Sequence, residues 1–513
     1  MPTARSAAPA PLPGCTPLFD ARAMREGDRR AVEEHGMPSI LLMERAGWVS
    51  AHVILARHPD RRSALVVVGP GNNGGDGMVV ARHLAEAGWS VTVVAPEGRE
   101  PEAPDAAVMT AIARSLGLAV EPLTHGFVDP DGPVVVDALL GTGASGAPRG
   151  PIGAAVAWMA ALQAPVVALD VPSGVEADTG RAPGDAVRAG STVTYHGHKV
   201  GLWVEPGRGL AGQVVVADIG IPSAFGLEPV AWLAGPAAVA AVPPKDAIGD
   251  KYRAGAVLVV AGAPGLTGAG CLCARAALRA GAGLVVAAAP AEVQPIMAAQ
   301  LLEVMCAAVP GGGGHLGPES VEPVLAQARR AGAVALGPGI GREEATTAAV
   351  HRLLAALELP VVLDADGLWH LGDDLGRIAG RAAPTVLTPH AGEAARLLGV
   401  PRAEVEAGRL DAARELAKRS GAIAVLKGAG TIVAAPDGRL VVNGTGSPAL
   451  ATAGTGDVLT GAVAAFLAKG MDPFVAAAAA VAAHGVAGEL ADRGDGTVAG
   501  DVMEALPSAL RRR

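Results

Sequence analysis

Residues 69–77 read GPGNNGGDG, and no other stretch limits the fold of this chain so sharply. An apolar run of strand length, ALVVV at 64–68, leads into it, and MVVARHLAEA at 78–87 follows with helical spacing. Strand, glycine-rich turn and helix make the start of a βαβ unit. The glycines are expected to let the backbone approach a ligand without Cβ interference. Free N–H groups at the start of the helix favour an anion such as a pyrophosphate. Asn72, Asn73 and Asp76 add amide and carboxylate groups there. A plain surface turn is the bland alternative, but Gly, Asn and Asp clustered in this way more often mark a functional loop. The pattern is not taken as the G-x-G-x-x-G dinucleotide fingerprint.

The rest of the first half continues the alternation. Strands are expected at 90–95, 133–137, 165–170, 191–195 and 214–218, with helical segments at 21–50, 105–116 and 152–162. Such alternation predicts a three-layer sheet of parallel strands. PVVVD ends in DALLGTG and PVVALD ends in DVPSG. In open α/β sheets, ligands bind at the carboxyl ends of strands. Asn72, Asn73 and Asp76, Asp137 with residues 141–147, and Asp170 with Ser173 should therefore converge on one pocket. Each aspartate taken alone could simply cap a helix.

Length and charge bound the remainder. At 513 residues the chain exceeds one core. We expect a disordered Ala/Pro-rich leader over 1–18, one domain over 19–228 and another over 229–513. The Pro- and Gly-bearing segment 222–244 reads as their connection. Net charge is −9 with no basic tract, which argues against nucleic acid or an acidic membrane as partner. No apolar stretch is read as long enough to span a membrane, and 474–483 reads as a buried helix. Cys15, Cys271, Cys273 and Cys306 support neither a disulfide framework nor a zinc site, which fits a reducing cytoplasm.

The second half opens with GAVLVVA at 255–261 and again alternates strands and helices, with a β-hairpin turning at Asp437 and Gly438. Its strongest signal is Gly454, Thr455, Gly456 and Asp457 at the start of a helix. Glycines at a helix N-terminus form an anion hole for a phosphate in flight. A carboxylate beside it can accept a hydroxyl proton. This is the chemistry of phosphoryl transfer from a nucleotide to an alcohol.

GPGNNGGDG with DALLGTG and DVPSG resembles the NAD(P)H-hydrate epimerase domain. GPGIG, DADGL, TPHAGE, KGAGT and NGTGSPALATAGTGD over about residues 250–505 resemble the NAD(P)H-hydrate dehydratase group of the ribokinase-like superfamily. Together they resemble the bifunctional NAD(P)H-hydrate repair family. The resemblance implies two three-layer α/β/α domains, the first Rossmann-like and the second ribokinase-like. It implies that Asn72, Asn73, Gly74, Gly75, Asp76, Gly141, Thr142, Gly143, Ala144, Ser145, Gly146, Ala147 and Asp170 hold the substrate of the first domain, with Asp170 as acid or base. It implies a K+ ion on Asn73, Asp137 and Ser173, a hard cation suited to oxygen ligands. Lys199 in GHKVGL also matches a family position. In the second domain the resemblance places Ala269, Gly341, His390 and Asp457 on the hydrated cofactor, with Asp457 catalytic. Lys427, Gly428, Ala429, Gly430, Thr431 and Gly456 fall on the nucleotide. ADP with Mg2+ is the implied phosphoryl donor, hydrated NADH or NADPH the substrate, and a homo-oligomer the expected assembly. Ser447-Pro448-Ala449-Leu450 replaces the usual Asn-Pro-Gly-Met, and AGTGD replaces GGTGD. Residues 263–266 lack the usual Ser and Tyr, and the usual His-Lys-Gly is altered near Asp250 and Lys251. The rival reading is a small-molecule kinase fused to a non-catalytic nucleotide-binding domain.

Overall fold

A computed structural model describes residues 10–126, 128–129, 131–222 and 227–511. The chain divides into two compact units. One runs from Pro17 to Ala231; the other takes Ala10–Thr16 and Trp232–Arg513.

In the first unit the chain order is β1 (Thr16–Phe19), α1 (Ala21–Glu33), α2 (Ser39–Arg57), β2 (Ser63–Val68), α3 (Asn72–Glu86), β3 (Ser90–Ala95), α4 (Pro104–Ser115), β4 (Val120–Pro122), β5 (Val134–Ala138), α5 (Gly150–Ala160), β6 (Val166–Leu169), β7 (Ser191–Tyr195), β8 (His198–Lys199) and β9 (Gln213–Ala217). Seven strands form one parallel sheet in the order β4-β3-β2-β5-β6-β7-β9. The valine-rich strands are apolar on both faces because helices cover both. Val66, Val68, Val134 and Val136 pack with Met43 and Ala46 of α2, Met78 of α3 and Met109 of α4. Their neighbours Val67 and Val135 point the other way, onto Ala155, Val156 and Met159 of α5. The strand period of two thus sorts one valine run into two cores. β1 and β8 pair in parallel, Leu18 with His198 and Phe19 with Lys199.

The second unit contains β10 (Ala231–Ala234), β11 (Ala256–Val260), β12 (Leu284–Pro290), β13 (Met305–Val309), β14 (Ala333–Leu336), β15 (Val361–Leu363), β16 (Thr385–Leu387), β17 (Ile423–Leu426), β18 (Ile432–Ala434) and β19 (Leu440–Asn443). They run β13-β12-β11-β14-β15-β16-β17-β18-β19-β10 across the sheet. The β17–β18 and β18–β19 pairs are antiparallel and the other pairs parallel. Helices Thr455–Ala468 and Pro473–Ala491 supply Phe466, Phe474 and a run of buried alanines to its core. Small side chains let helix and sheet backbones approach closely. Both units are α/β, as expected.

Four expectations change. Residues 1–9 of the expected leader lie outside the described residues, but β1 and a buried Leu12 occupy the rest. Leu12 packs into the core of the second unit because its side chain gains more from burial than from water. The expected connection at 222–244 holds β10 and a 3-10 turn at Pro236–Ala241, both parts of the second unit. The helical segment at 21–50 is two helices, interrupted where Gly36 takes φ +66° and Pro38 follows. Finally, Ser39–Arg57 and Pro473–Ala491 are each long and apolar enough by composition to cross a membrane. The buried helix read at 474–483 continues past His484, and most of it faces the core.

Candidate active sites

The first site is a cavity of about 730 Å3 at the carboxyl ends of β2, β5, β6 and β7, with α1 at its rim. Asn72, Asn73, Asp76, Gly141, Thr142, Gly143, Ala144 and Asp170 line it, as the strand-end argument requires. Gly74, Gly75, Ser145, Gly146 and Ala147 do not. The glycines mostly serve packing. A Cβ on Gly74 would sit 1.9 Å from Gly69 O, and one on Gly75 would meet Met43 Sδ at 2.6 Å and Ala106 Cβ at 2.7 Å. Close approach of α2 and α4 to α3, rather than of a ligand, excludes a side chain there. Gly69, Gly71 and Gly74 do keep the G-x-G-x-x-G spacing, contrary to the reading that set that fingerprint aside. Gly71, with open space around its Cβ position, is the glycine of this stretch that lines the cavity.

Asp170 is the polar centre. Its backbone is left-handed at φ +66°, a conformation Asp tolerates better than most residues. Lys199 Nζ lies 2.8 Å from Asp170 Oδ1, and the Thr142 N–H donates to Oδ2 at 3.1 Å. Lys199 is itself 2% exposed and also donates to Tyr195 O at 2.7 Å. Burial opposes ionisation of Asp170, yet the Lys199 charge and bond hold its carboxyl below the usual range. Asp76 differs: burial first, then the charges of Asp170 and Asp28, push its carboxyl well above the usual range.

Asp137 and Ser173 meet, and both Ser173 and Asn73 bond the backbone of Leu140. The Ser173 hydroxyl donates to Asp137 Oδ1 at 2.6 Å and accepts from Leu140 N–H at 2.9 Å. Asp137 also accepts from the N–H groups of Ser173 and Leu139. Neither residue caps a helix; Asp137 ties two strand-end loops together. Asn73 Nδ2 donates to Leu140 O and Leu169 O, which fixes the amide and leaves its buried Oδ1 without a partner. A buried acceptor without a partner, with a carboxylate and a hydroxyl on the loop it bonds, is an oxygen set whose chemistry fits a monovalent cation.

The second site gathers at the start of helix Thr455–Ala468, capped by Gly454 at φ +91°. Lys427 Nζ lies 2.9 Å from Asp364 Oδ1, and the Thr460 hydroxyl donates to Asp364 Oδ2 at 2.7 Å. A Cβ on Gly456 would be 3.3 Å from that ammonium, so Gly456 and Lys427 adjoin as expected. Burial lifts the Asp457 carboxyl to about 7, and the charge of Asp364 adds to the rise. Burial opposes the Lys427 charge, but Asp364 and Glu393 more than offset this. Gly428, at φ +139°, packs against the Arg409 guanidinium, which bonds Leu426 O and Lys427 O. Thr431 closes the same loop by donating to Gly428 O at 2.9 Å; Ala429 at its tip is exposed.

The hydrated-cofactor residues are more scattered. His390 is 61% exposed, and its Nδ1 accepts from the N–H groups of Gly392 and Glu393. It therefore caps helix Ala391–Leu398, and it also lines a cleft of about 260 Å3 with Arg342, Trp369 and Arg396. Gly341 donates its N–H to Asp366 at 3.1 Å and lies against the His315 ring. Ala269 lies on helix Thr267–Arg279 against Gly339.

Residues 39–201 match the family described as YjeF-related protein N-terminus, and 257–508 match NAD(P)H-hydrate dehydratase. A bifunctional NAD(P)H-hydrate repair enzyme from Moorella thermoacetica is 41% identical, covering 96% of each chain. The chain belongs to the bifunctional NAD(P)H-hydrate repair enzyme family. The Escherichia coli member is 35% identical over 92% of this chain and 89% of its own. A solved ADP/ATP-dependent NAD(P)H-hydrate dehydratase from Bacillus subtilis, co-crystallized with ATP/Mg2+, is 33% identical; it covers 54% of this chain and 96% of its own at TM-score 0.46.

Sequence reasoning about this family member missed Asp28, Tyr195, Asp364 and Arg409. Asp364 carried a readable signal, since it ends the apolar run PVVLD as Asp137 and Asp170 end theirs. Asp28 had none: it sits in a charged helix whose face only the tertiary fold directs at the cavity.

Proposed function

We propose that the first unit interconverts the R and S epimers of NADH or NADPH hydrated at C6, and that the second dehydrates the S epimer with ADP, releasing AMP and phosphate. The observation that carries this reading is that each unit holds its own carboxylate–lysine pair, Asp170–Lys199 in the first cavity and Asp364–Lys427 beside the start of helix Thr455–Ala468. Two reaction centres in one chain fit two successive steps on one substrate.

In the second unit, Asp457 takes the proton of the C6 hydroxyl as its oxygen attacks the terminal phosphate of ADP. Lys427 and the N–H groups at the start of helix Thr455–Ala468 stabilise charge on the phosphates. The ring nitrogen lone pair then expels the C6 phosphate as free phosphate, leaving a C6–N double bond, and loss of a proton from C5 to water returns that pair to nitrogen and restores the C5–C6 double bond of the dihydronicotinamide. Mg2+ would arrive with the nucleotide, since it is usually held by substrate phosphates and one or two carboxylates. In the first unit, Asn73, Asp137 and Ser173 would hold K+, which supplies a positive charge toward the substrate oxygens. Asp170, kept anionic by Lys199, acts as acid or base. The free state of all four cysteines supports a cytoplasmic setting. A homo-oligomer is the expected assembly, which light scattering on the intact chain would establish.

The deciding experiment incubates the purified chain with an epimer mixture of hydrated NADH and ADP, following the absorbance of restored NADH and the released phosphate. Complete recovery with stoichiometric free phosphate is expected. A stable phosphoester product would instead make the second unit a kinase.

A further inference from the structure

The first site holds more acid than the proposed Asp170–Lys199 pair uses. Asp76 lines the cavity from α3, is 8% exposed, and among the described residues no donor bonds its carboxyl. The charged and titratable residues that line the cavity with it are Arg25, Asp28, Arg29 and Glu33 from α1, Asp105 from α4, Tyr195 and His196 at the end of β7, and the Asp170–Lys199 pair. Lys199 is committed to Asp170 at 2.8 Å. An unpartnered buried carboxyl aimed into a ligand cavity is unfavourable unless something it binds or does requires it.

The substrate chemistry supplies such a requirement. C6 of the hydrate bears a hydroxyl and is bonded to the ring nitrogen. Inverting that carbon means expelling the oxygen from one face of the ring and adding water to the other. Expulsion needs a proton donor and addition a proton acceptor, so one residue does not suffice. We infer that Asp76 is the second catalytic carboxyl of the epimerase, serving the C6 oxygen on one ring face while Asp170 serves it on the other.

With Asp76 as acid, the C6–O bond breaks with its electron pair on oxygen, and the Asp76 proton makes that oxygen water. The nitrogen lone pair forms a C6–N double bond. Water adds to the opposite face, the double-bond pair returns to nitrogen, and the surplus proton goes to the Asp170 carboxylate. The opposite epimer runs the same steps backwards, and exchange with solvent resets the two carboxyls. The contrast between Asp170, held below the usual range, and Asp76, held above it, supplies one base and one acid at neutral pH. This assignment rests on the epimerase reading of the first unit.

The test uses the full chain without ADP, so that dehydration is idle, and a single purified epimer of hydrated NADH. Asp76→Asn should lower kcat by at least ~10²-fold with a much smaller change in KM, and Asp76→Glu should regain part of the loss. In 18O-labelled water each inversion should place one labelled oxygen at C6. In the direction that starts with Asp76 protonated, the rate should fall as pH rises through the Asp76 pKa. Asp28→Asn, which removes a charge that raises this pKa, should move that limb to lower pH. This last variant keeps the test open if Asp76→Asn does not fold. A near-normal kcat in Asp76→Asn, a loss confined to KM, or an unmoved limb in Asp28→Asn would overturn the inference. A wild-type chain that fails to interconvert the epimers would instead overturn the epimerase reading, and this inference with it.

Discussion

Asp137 is a buried carboxylate and Asp457 a partly buried one, both with raised pKa values, and the two make opposite demands. Asp457 works as a base, so only its anion is competent. With its pKa lifted to about 7, dehydration should decline as pH falls below that value. Asp457→Asn should lower dehydration by at least ~10²-fold and leave epimerisation unchanged. A pH profile flat from 5 to 8 in the wild type (roughly the range over which such a base would titrate) would contradict the assignment. Asp137 instead accepts bonds from Ser173 and Leu139, and burial outweighs these in raising its pKa to about 6. Asp137→Ala leaves those N–H donors and the Ser173 hydroxyl without their acceptor. It should cost about 1–3 kcal/mol of stability. The folded variant should also lose epimerisation, and wild-type epimerisation should fall when K+ is replaced by a bulky organic cation. Normal epimerisation by folded Asp137→Ala would reduce the residue to a loop tie.

At the scale of elements, α3 shows what a glycine-rich start is for. Gly74 and Gly75 let the helix lie against the preceding loop, α2 and α4 closely enough to bring Asn73 and Asp76 into the cavity. Gly75→Ala should destabilise the first unit by about 1–3 kcal/mol, read as a lower melting midpoint, because Met43 and Ala106 must move aside. An unchanged midpoint would show that the contact relaxes freely. Here the sequence was partly legible. Asp137, Asp170, Asp76 and Asp457 could be placed because each adjoins an apolar strand or starts a helix, and local pattern fixes such positions. The function of Gly74 and Gly75 could not, because it depends on helices far along the chain. Lys199 could be matched to a family position, but its bond to Asp170 depends on β6 and β8 meeting in space. β4 and β8 escaped notice because each is short or carries mixed polarity, which leaves little period-two signal.

For the whole molecule, two units with separate cores predict separable activities. A fragment of 17–231 should epimerise, and a fragment of 229–513 should repair one epimer of a mixture, with about half remaining if the two forms are equally abundant. Rapid complete repair by the second fragment would remove epimerisation from the first unit. The second fragment should also be less stable than its counterpart in the intact chain. It lacks Leu12, whose 2% exposure represents about 1.5–3 kcal/mol of buried apolar side chain. Chemical denaturation of this fragment, with and without residues 10–16 supplied as a peptide, measures that difference.

Leu12 has a further consequence for synthesis on the ribosome. It leaves the exit tunnel before the stretch Pro17–Ala231, yet the core that receives it is built from residues between 234 and 510. The first unit can therefore finish folding while this short apolar segment is still waiting in solvent. A chain that stalls after the first unit would carry the segment uncovered, a feature that quality-control proteases and chaperones could use to tell an interrupted chain from a finished one.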